Sequence, residues 1–283
     1  MKLRPLYLES LSEGKLSSLS HNIDDILAGL AGKVMIIADI KTTSINPHSP
    51  HSQIIKIGAV VINSSGDPAD YFSAVASLNI NTINAIYDEK NTIDHGDWPP
   101  GKATIMDMLD LAGYEFDPDD TILPSEMEIV VDFKSFIDKY AGNAVLVVHN
   151  ARNVMHHLNS TLPTPLRDVQ VFDTLEFTKI YFEPVLQALM MHGNSKAHDM
   201  AEKLSDDIGK FNTSLRNLSR ALGIKKVRWE LAANDAQRLA DILSEMLKFL
   251  NTHSKMFRDA NFRMLSAKAV EAYKNYGWRE ESV

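Results

Sequence analysis

The sequence predicts an α/β domain in which a mixed five-stranded sheet is flanked by helices, with a helical extension at either end. Three observations carry that prediction. Strand-like segments at 34–38, 53–63 and 70–78 are separated by short turns, and consecutive strands joined that way form an antiparallel meander. Beyond residue 125, helical and strand patterns alternate, the arrangement that adds strands through helical crossovers. A chain of 283 residues, 45% hydrophobic and 23% charged, can also bury one sizeable core.

The elements follow in order. Leu16, Leu19, Ile23, Ile26, Leu27 and Leu30 recur at helical spacing, and Gly32 is a natural stop. Val34 to Ala38 is continuously apolar, as a strand buried on both faces is. Ser64-Ser65-Gly66-Asp67 supplies the turn between the second and third strands. Residues 79–125 are rich in Asn, Asp and Gly and broken by Pro99-Pro100-Gly101. They read as an excursion over one face, with a short helical patch from Ile105 to Leu111. Glu126 to Tyr140 is an amphipathic helix with Ile129, Phe133, Phe136 and Ile137 on one stripe, and Ser125 is its expected N-cap. Ala144 to Val148 is a fourth buried strand, followed by a helix to about Asn159. Val169 to Phe172 is a fifth strand, and Thr174 to Met191 one long helix. A polar stretch at 192–212 precedes two closing helices, at 214–222 and 232–250, and a helical tail. The expected organisation is a domain over 33–252 between extensions at 1–32 and 253–283.

Charge and composition narrow the function. With 37 acidic against 29 basic residues the net charge is −8, the opposite of a protein that grips a nucleic-acid backbone over a broad surface. Apolar runs such as Ala144 to Val148 fall far short of the roughly 20 residues a membrane helix needs, so no membrane contact is expected. No secretory or transit segment is expected at the N-terminus. The absence of cysteine excludes disulfides, thiol nucleophiles and cysteine-based zinc sites. An intracellular protein of the cytoplasm or nucleus is the resulting expectation.

Three stretches carry chemistry-bearing residues. Asp39 closes the first buried strand in Ala38-Asp39-Ile40-Lys41-Thr42-Thr43, where an acid is costly unless it is paired. Asp39 and Lys41 are two apart on a strand and share a face. The fourth strand leads into His149-Asn150-Ala151-Arg152-Asn153-Val154. The third stretch, Trp229-Glu230-Leu231-Ala232-Ala233-Asn234-Asp235-Ala236-Gln237, enters an apolar-periodic helix. Together with Phe172-Asp173-Thr174-Leu175 and Ser214-Leu215, these stretches resemble the motifs of the DnaQ-like (DEDDh) 3′–5′ exonucleases of the RNase H-like fold. The resemblance runs from residue 33 to about 250 in the family's order.

The resemblance implies four carboxylates holding two Mg²⁺ or Mn²⁺ ions and a histidine that takes a proton from the attacking water. In this chain Asp39 matches the first acid and Asp235 the last. Lys41 stands at the second acid, Val154 at the third, and Glu230 at the histidine. An ammonium at roughly 4 Å from a carboxylate, at an effective dielectric near 20, is attracted by about 4 kcal/mol before desolvation. Lys41 is therefore expected to sit beside Asp39 and Asp235 in a metal's place, and no cofactor is expected. Should the site be active, the resemblance implies Mg²⁺ or Mn²⁺ on Asp39 and Asp235, with Glu230 as a base. Thr42, His149, Asn150 and Arg152 are the residues it suggests against a substrate.

Each of these residues also has a plainer reading. Asp39, Lys41 and Asp235 can be a structural ion-pair cluster, and His149 a strand-end histidine satisfied by backbone. Asn150 and Ala151 can simply shape a strand-to-helix turn, and Arg152, Lys225, Lys226 and Arg228 a charged rim. Three functions are in competition. The favoured one is an exonuclease fold without catalysis that binds a protein or nucleic acid. The alternative is an active, divergent metal-dependent 3′–5′ exonuclease on DNA or RNA. The third is an interaction module working through its helical extensions. The expected partners are a single-stranded nucleic acid or a protein held by those extensions.

Overall fold

The structure, a computed structural model, describes residues 29–30, 32–44, 46, 48–94, 103–115, 123–166, 169–191, 193–205, 211–224 and 232–253. The proposed extensions, apart from a few residues at 29–32 and His253, lie outside the described residues, as do Glu230, Lys225, Lys226, Arg228 and Trp229.

Five strands form one sheet: β1 (Val34–Thr42), β2 (Ile54–Ile62), β3 (Pro68–Val75), β4 (Ala144–Val148) and β5 (Gln170–Asp173). Their order is β3-β2-β1-β4-β5. β2 pairs antiparallel with both β1 and β3, whereas β4 joins β1 in parallel and β5 joins β4 in parallel. The predicted mixed sheet is observed.

The helices are α1 (Ile80–Asp94), α2 (Ile105–Leu111), α3 (Glu126–Asp138), α4 (Ala151–Thr161), α5 (Thr174–Phe177), α6 (Glu183–Met191), α7 (Ser195–Leu204), α8 (Leu215–Ala221) and α9 (Ala232–Thr252). Ser125 caps α3 as expected: its side chain accepts from the Glu128 amide, and Glu128 Oε2 accepts from the Ser125 amide at 2.7 Å. Three expectations are corrected. The excursion holds a full helix, α1, and the polar stretch after residue 191 holds α7. The segment at 174–191 is also not one regular helix, because a π-helical turn, Thr178–Phe182, separates α5 from α6.

The alternation of strand side chains divides the core. Ile37, Val60, Val147 and Phe172 pack against Leu239, Leu243 and Met246 of α9 on one face. Ile36, Ala38, Val61 and Leu146 pack against Phe133 and Ile137 of α3 and Leu158 of α4 on the other. Each such side chain, fully withdrawn from water, stabilises by about 1.5–3 kcal/mol. A third cluster joins Ile55 and Leu78 to Ile86, Ile105 and Leu109, so the excursion is anchored rather than draped. Among the described residues, no helix is long and apolar enough to cross a membrane.

Candidate functional site

The site is assembled where β1 ends and α9 begins. The pleat turns Asp39 and Lys41 to one face, and the register sets Asp39 opposite Gly58 and Lys41 opposite Lys56. α9 contributes Asp235 from its first turn, where the helix dipole favours a carboxylate. Lys41 Nζ lies 2.7 Å from Asp39 Oδ2 and 3.3 Å from Asp235 Oδ2. Arg238 Nη1 approaches the other oxygen of Asp235 at 3.6 Å. All four side chains are largely withdrawn from solvent, at 25% exposure for Lys41, 13% for Asp39, 10% for Asp235 and 5% for Arg238.

The electrostatics of the cluster are those of one ammonium shared by two carboxylates. Burial alone would lower the pKa of Lys41, but Asp39 and Asp235 outweigh it and hold the pKa above the ordinary lysine value. Burial raises the Asp235 carboxyl, opposed by Lys41 and reinforced by Asp39. Lys41 is therefore a cation across the neutral range.

Lys56 is a member that sequence reasoning missed. It is 6% exposed, and its ammonium donates to the carbonyls of Ala112 at 2.9 Å and Gly113 at 2.5 Å. Those carbonyls end α2, where a cation is favoured. Burial lowers its pKa, Asp235 opposes the shift, and Lys41 across the strand pair adds to it. The signal was present in Ile54-Ile55-Lys56-Ile57, a single charge in an apolar run.

The end of β4 is organised around Asp173. Its Oδ1 accepts from the Asn150 amide at 3.0 Å and its Oδ2 from the Ala151 amide at 2.8 Å. Asn150 takes φ 66°, a left-handed conformation that asparagine tolerates better than most residues. His149 Nδ1 lies 3.0 Å from Thr174 Oγ1. Burial lowers the His149 pKa, against the charges of Asp173 and Asp39 and a backbone bond at Thr213.

The remaining suggested residues separate. Arg152 is exposed on the first turn of α4. Thr42 is buried, and its hydroxyl donates to the Ser44 carbonyl at 2.8 Å. Val154, at the third acid position, is 7% exposed and packs with Met155 and Leu158 in the core. The described residues do not fit a pair of dications. Asp39 Oδ2 and Asp235 Oδ2 face the same ammonium, Arg238 approaches the other oxygen of Asp235, and Val154 offers no ligand atom. Among the described residues no three His, Asp or Glu side chains converge as a metal requires.

No family model matches the chain, and no curated protein matches it. Solved structures do. The product-bound structure of exonuclease I superposes with a TM-score of 0.51 at 12% identity, over 78% of this chain and 46% of that one. Cell-death related nuclease 4 gives 0.47 at 12% identity, over 77% of this chain and 64% of that one. A 3′-exonuclease with 3′-end specific recognition of a histone mRNA stem-loop gives 0.44 at 14% identity, over 77% and 83%. The chain thus spans about half the length of exonuclease I and under two thirds of cell-death related nuclease 4.

Proposed function

We propose that this chain, whose sheet and helices follow the exonuclease fold, acts by binding a partner rather than by hydrolysis. The observation that supports this reading is the position of Lys41 Nζ, within 3.3 Å of both Asp39 and Asp235. Hydrolysis by paired metals needs open carboxylate oxygens that can clamp an attacking water and a leaving oxygen. Here the two nearest oxygens neutralise an internal cation, and the third acid position is apolar core. Burial lowers the His149 pKa, and its Nδ1 stands 3.0 Å from Thr174 Oγ1. The net charge of −8 favours a protein partner over a polyanion.

The test is digestion of 3′-labelled single-stranded DNA and RNA with Mg²⁺ or Mn²⁺ supplied. The expected outcome is no shortening above that of buffer. Shortening from the 3′ end that Asp39→Ala abolishes would instead assign an active, divergent exonuclease.

A further inference from the structure

The turn that precedes β2 rests on α4 through histidines. The His48 ring lies edge-on to that of His156, with centroids 4.6 Å apart and planes at 67°. Ser52 Oγ stands 3.3 Å from His157 Nδ1. His157 is 3% exposed, and its Nε2 is buried with no hydrogen-bond partner. Within the turn, the Ser49 amide donates to the Asn46 carbonyl at 3.1 Å and the Ser52 amide to the Ser49 carbonyl at 2.9 Å. Its base is tied to the end of β1, since Thr43 Oγ1 donates to the His51 carbonyl at 2.5 Å.

A neutral His157 suits this seam and a cationic one does not. Neutral imidazole carries a single N–H, which Nδ1 directs at Ser52 while Nε2 keeps its lone pair. The imidazolium has a second N–H, on Nε2, where no acceptor stands, and a buried charge without a partner is costly. The neighbouring groups supply no anion. His156 and Arg152 on α4, and His48 and His51 on the turn, carry no negative charge. Glu126 Oε1 on α3 is engaged by the Ile54 amide at 2.8 Å and the Thr161 hydroxyl at 3.1 Å. Asp88 and Glu89 on α1 face a groove that His51 lines and His157 does not. Burial, helped by His156, accordingly lowers the His157 pKa to about 4.

We propose that this seam is a pH-sensitive latch: protonation of His157 undocks the turn at 48–52 from α4 while the sheet stays folded, and so loosens Thr43 where β1 ends. The proposal stands apart from the function of the Lys41 cluster, to which none of these residues belongs. A ring with a pKa of about 4 when docked and 6.5 when released favours docking above pH 6.5, and that preference is lost as pH falls toward 4. Between about pH 7.5 and about pH 5 the released fraction should therefore rise about 30-fold.

The test is amide hydrogen exchange on the full chain, expressed as protection factors so that the intrinsic pH dependence of exchange drops out. The expected result over that interval is an about 30-fold loss of protection at the Ser52 amide, with β2 still protected. His157→Asn keeps a partner for Ser52 and takes up no proton, so its Ser52 protection should be the same at both pH values. Ser52→Ala leaves the core untouched and gives a second readout, the His157 ring pKa from its ¹⁵N shifts. A latch loosened by that change should let the ring pKa rise toward 6.5, whereas a ring fixed in place would lose an acceptor and show no rise. A loss at Ser52 smaller than about tenfold, a loss shared by β2, an equal loss in His157→Asn, or no rise of the ring pKa in Ser52→Ala overturns the proposal.

Discussion

Lys41 does for Asp39 and Asp235 what no neutral side chain could do at that position. Replacing it with alanine leaves two adjacent, largely buried carboxylates to repel one another. Lys41→Ala is expected to lose about 1–3 kcal/mol at neutral pH, read by urea unfolding. Because the pKa of Lys41 is raised, the stability it confers is fully present below the ordinary lysine pKa of 10.5 and is lost only as pH rises through the higher folded value. Added Mg²⁺ should recover part of the loss in the variant and leave the melting temperature of the unmutated protein almost unchanged. A large Mg²⁺ stabilisation of the unmutated protein would show that the cluster exchanges its ammonium for metal. Lys56 calls for a second variant, Lys56→Met, which strips the Ala112 and Gly113 carbonyls of their donor. It should cost about 1–3 kcal/mol by the same measurement. The Asp39–Lys41 pair was legible in the sequence because both charges interrupt one strand end and the pleat dictates their shared face. The lone charge of Lys56 stood out in its apolar run, but its partners were not legible, because they lie 56 and 57 residues further along the chain, in an excursion whose packing no local pattern announces.

At the scale of elements, periodicity located what burial enforces and missed what capping and small residues enforce. β1, β2 and β4 were legible as apolar runs bounded by turns, β2 being buried at every position, whereas β3 was legible from the Ser64–Asp67 turn that precedes it. α7 escaped notice because its buried stripe is Ala197, Met200, Ala201 and Leu204, two of them alanines that carry little hydrophobic signal. Its start rests instead on Asn194, whose side chain accepts from the Ala197 amide. The π-helical turn at Thr178–Phe182 was equally invisible, since it shifts the phase of a helix without changing its composition. Glu183 follows that turn, and burial, opposed by Lys179, raises its pKa to about 7. Between the ordinary value of 4.5 and that of about 7 the folded state holds the proton more tightly than the unfolded chain. Stability contributed by Glu183 is therefore present at low pH and falls as pH rises through that window. His157 has the opposite sign. Burial, helped by His156, lowers it to about 4, so its contribution is lost as pH falls from 6.5 toward that value. Glu183→Gln should gain about 1–3 kcal/mol by urea unfolding near pH 8 and nothing near pH 4. A gain equal at both pH values would mean that the side chain's charge is not what limits stability there.

For the whole molecule, the order β3-β2-β1-β4-β5 places the ends of β1 and β4 side by side, and α9 crosses them with Asp235 in its first turn. A superposition at 12% identity over 78% of the chain is what such packing permits, because apolar side chains of similar volume can replace one another while the sheet order stays. The fold was legible for that reason, and the site was legible only as far as charge on strand ends could be read. What the surface binds depends on the sum of its charges. A single strand held through Z phosphates releases counterions, so log K falls with log salt at about −0.7Z. A track across five phosphates would thus give a slope of about −3.5. This chain carries a net −8 overall, Lys41 is spent on internal acids, and Lys56 is 6% exposed. Fluorescence anisotropy with a labelled single-stranded oligonucleotide is therefore expected to show weak binding whose slope is shallower than about −1, fewer than two phosphates engaged. A slope near −3.5 with tight binding at about 0.15 M salt would instead require a continuous basic track, and the protein-partner reading would give way to a nucleic-acid one.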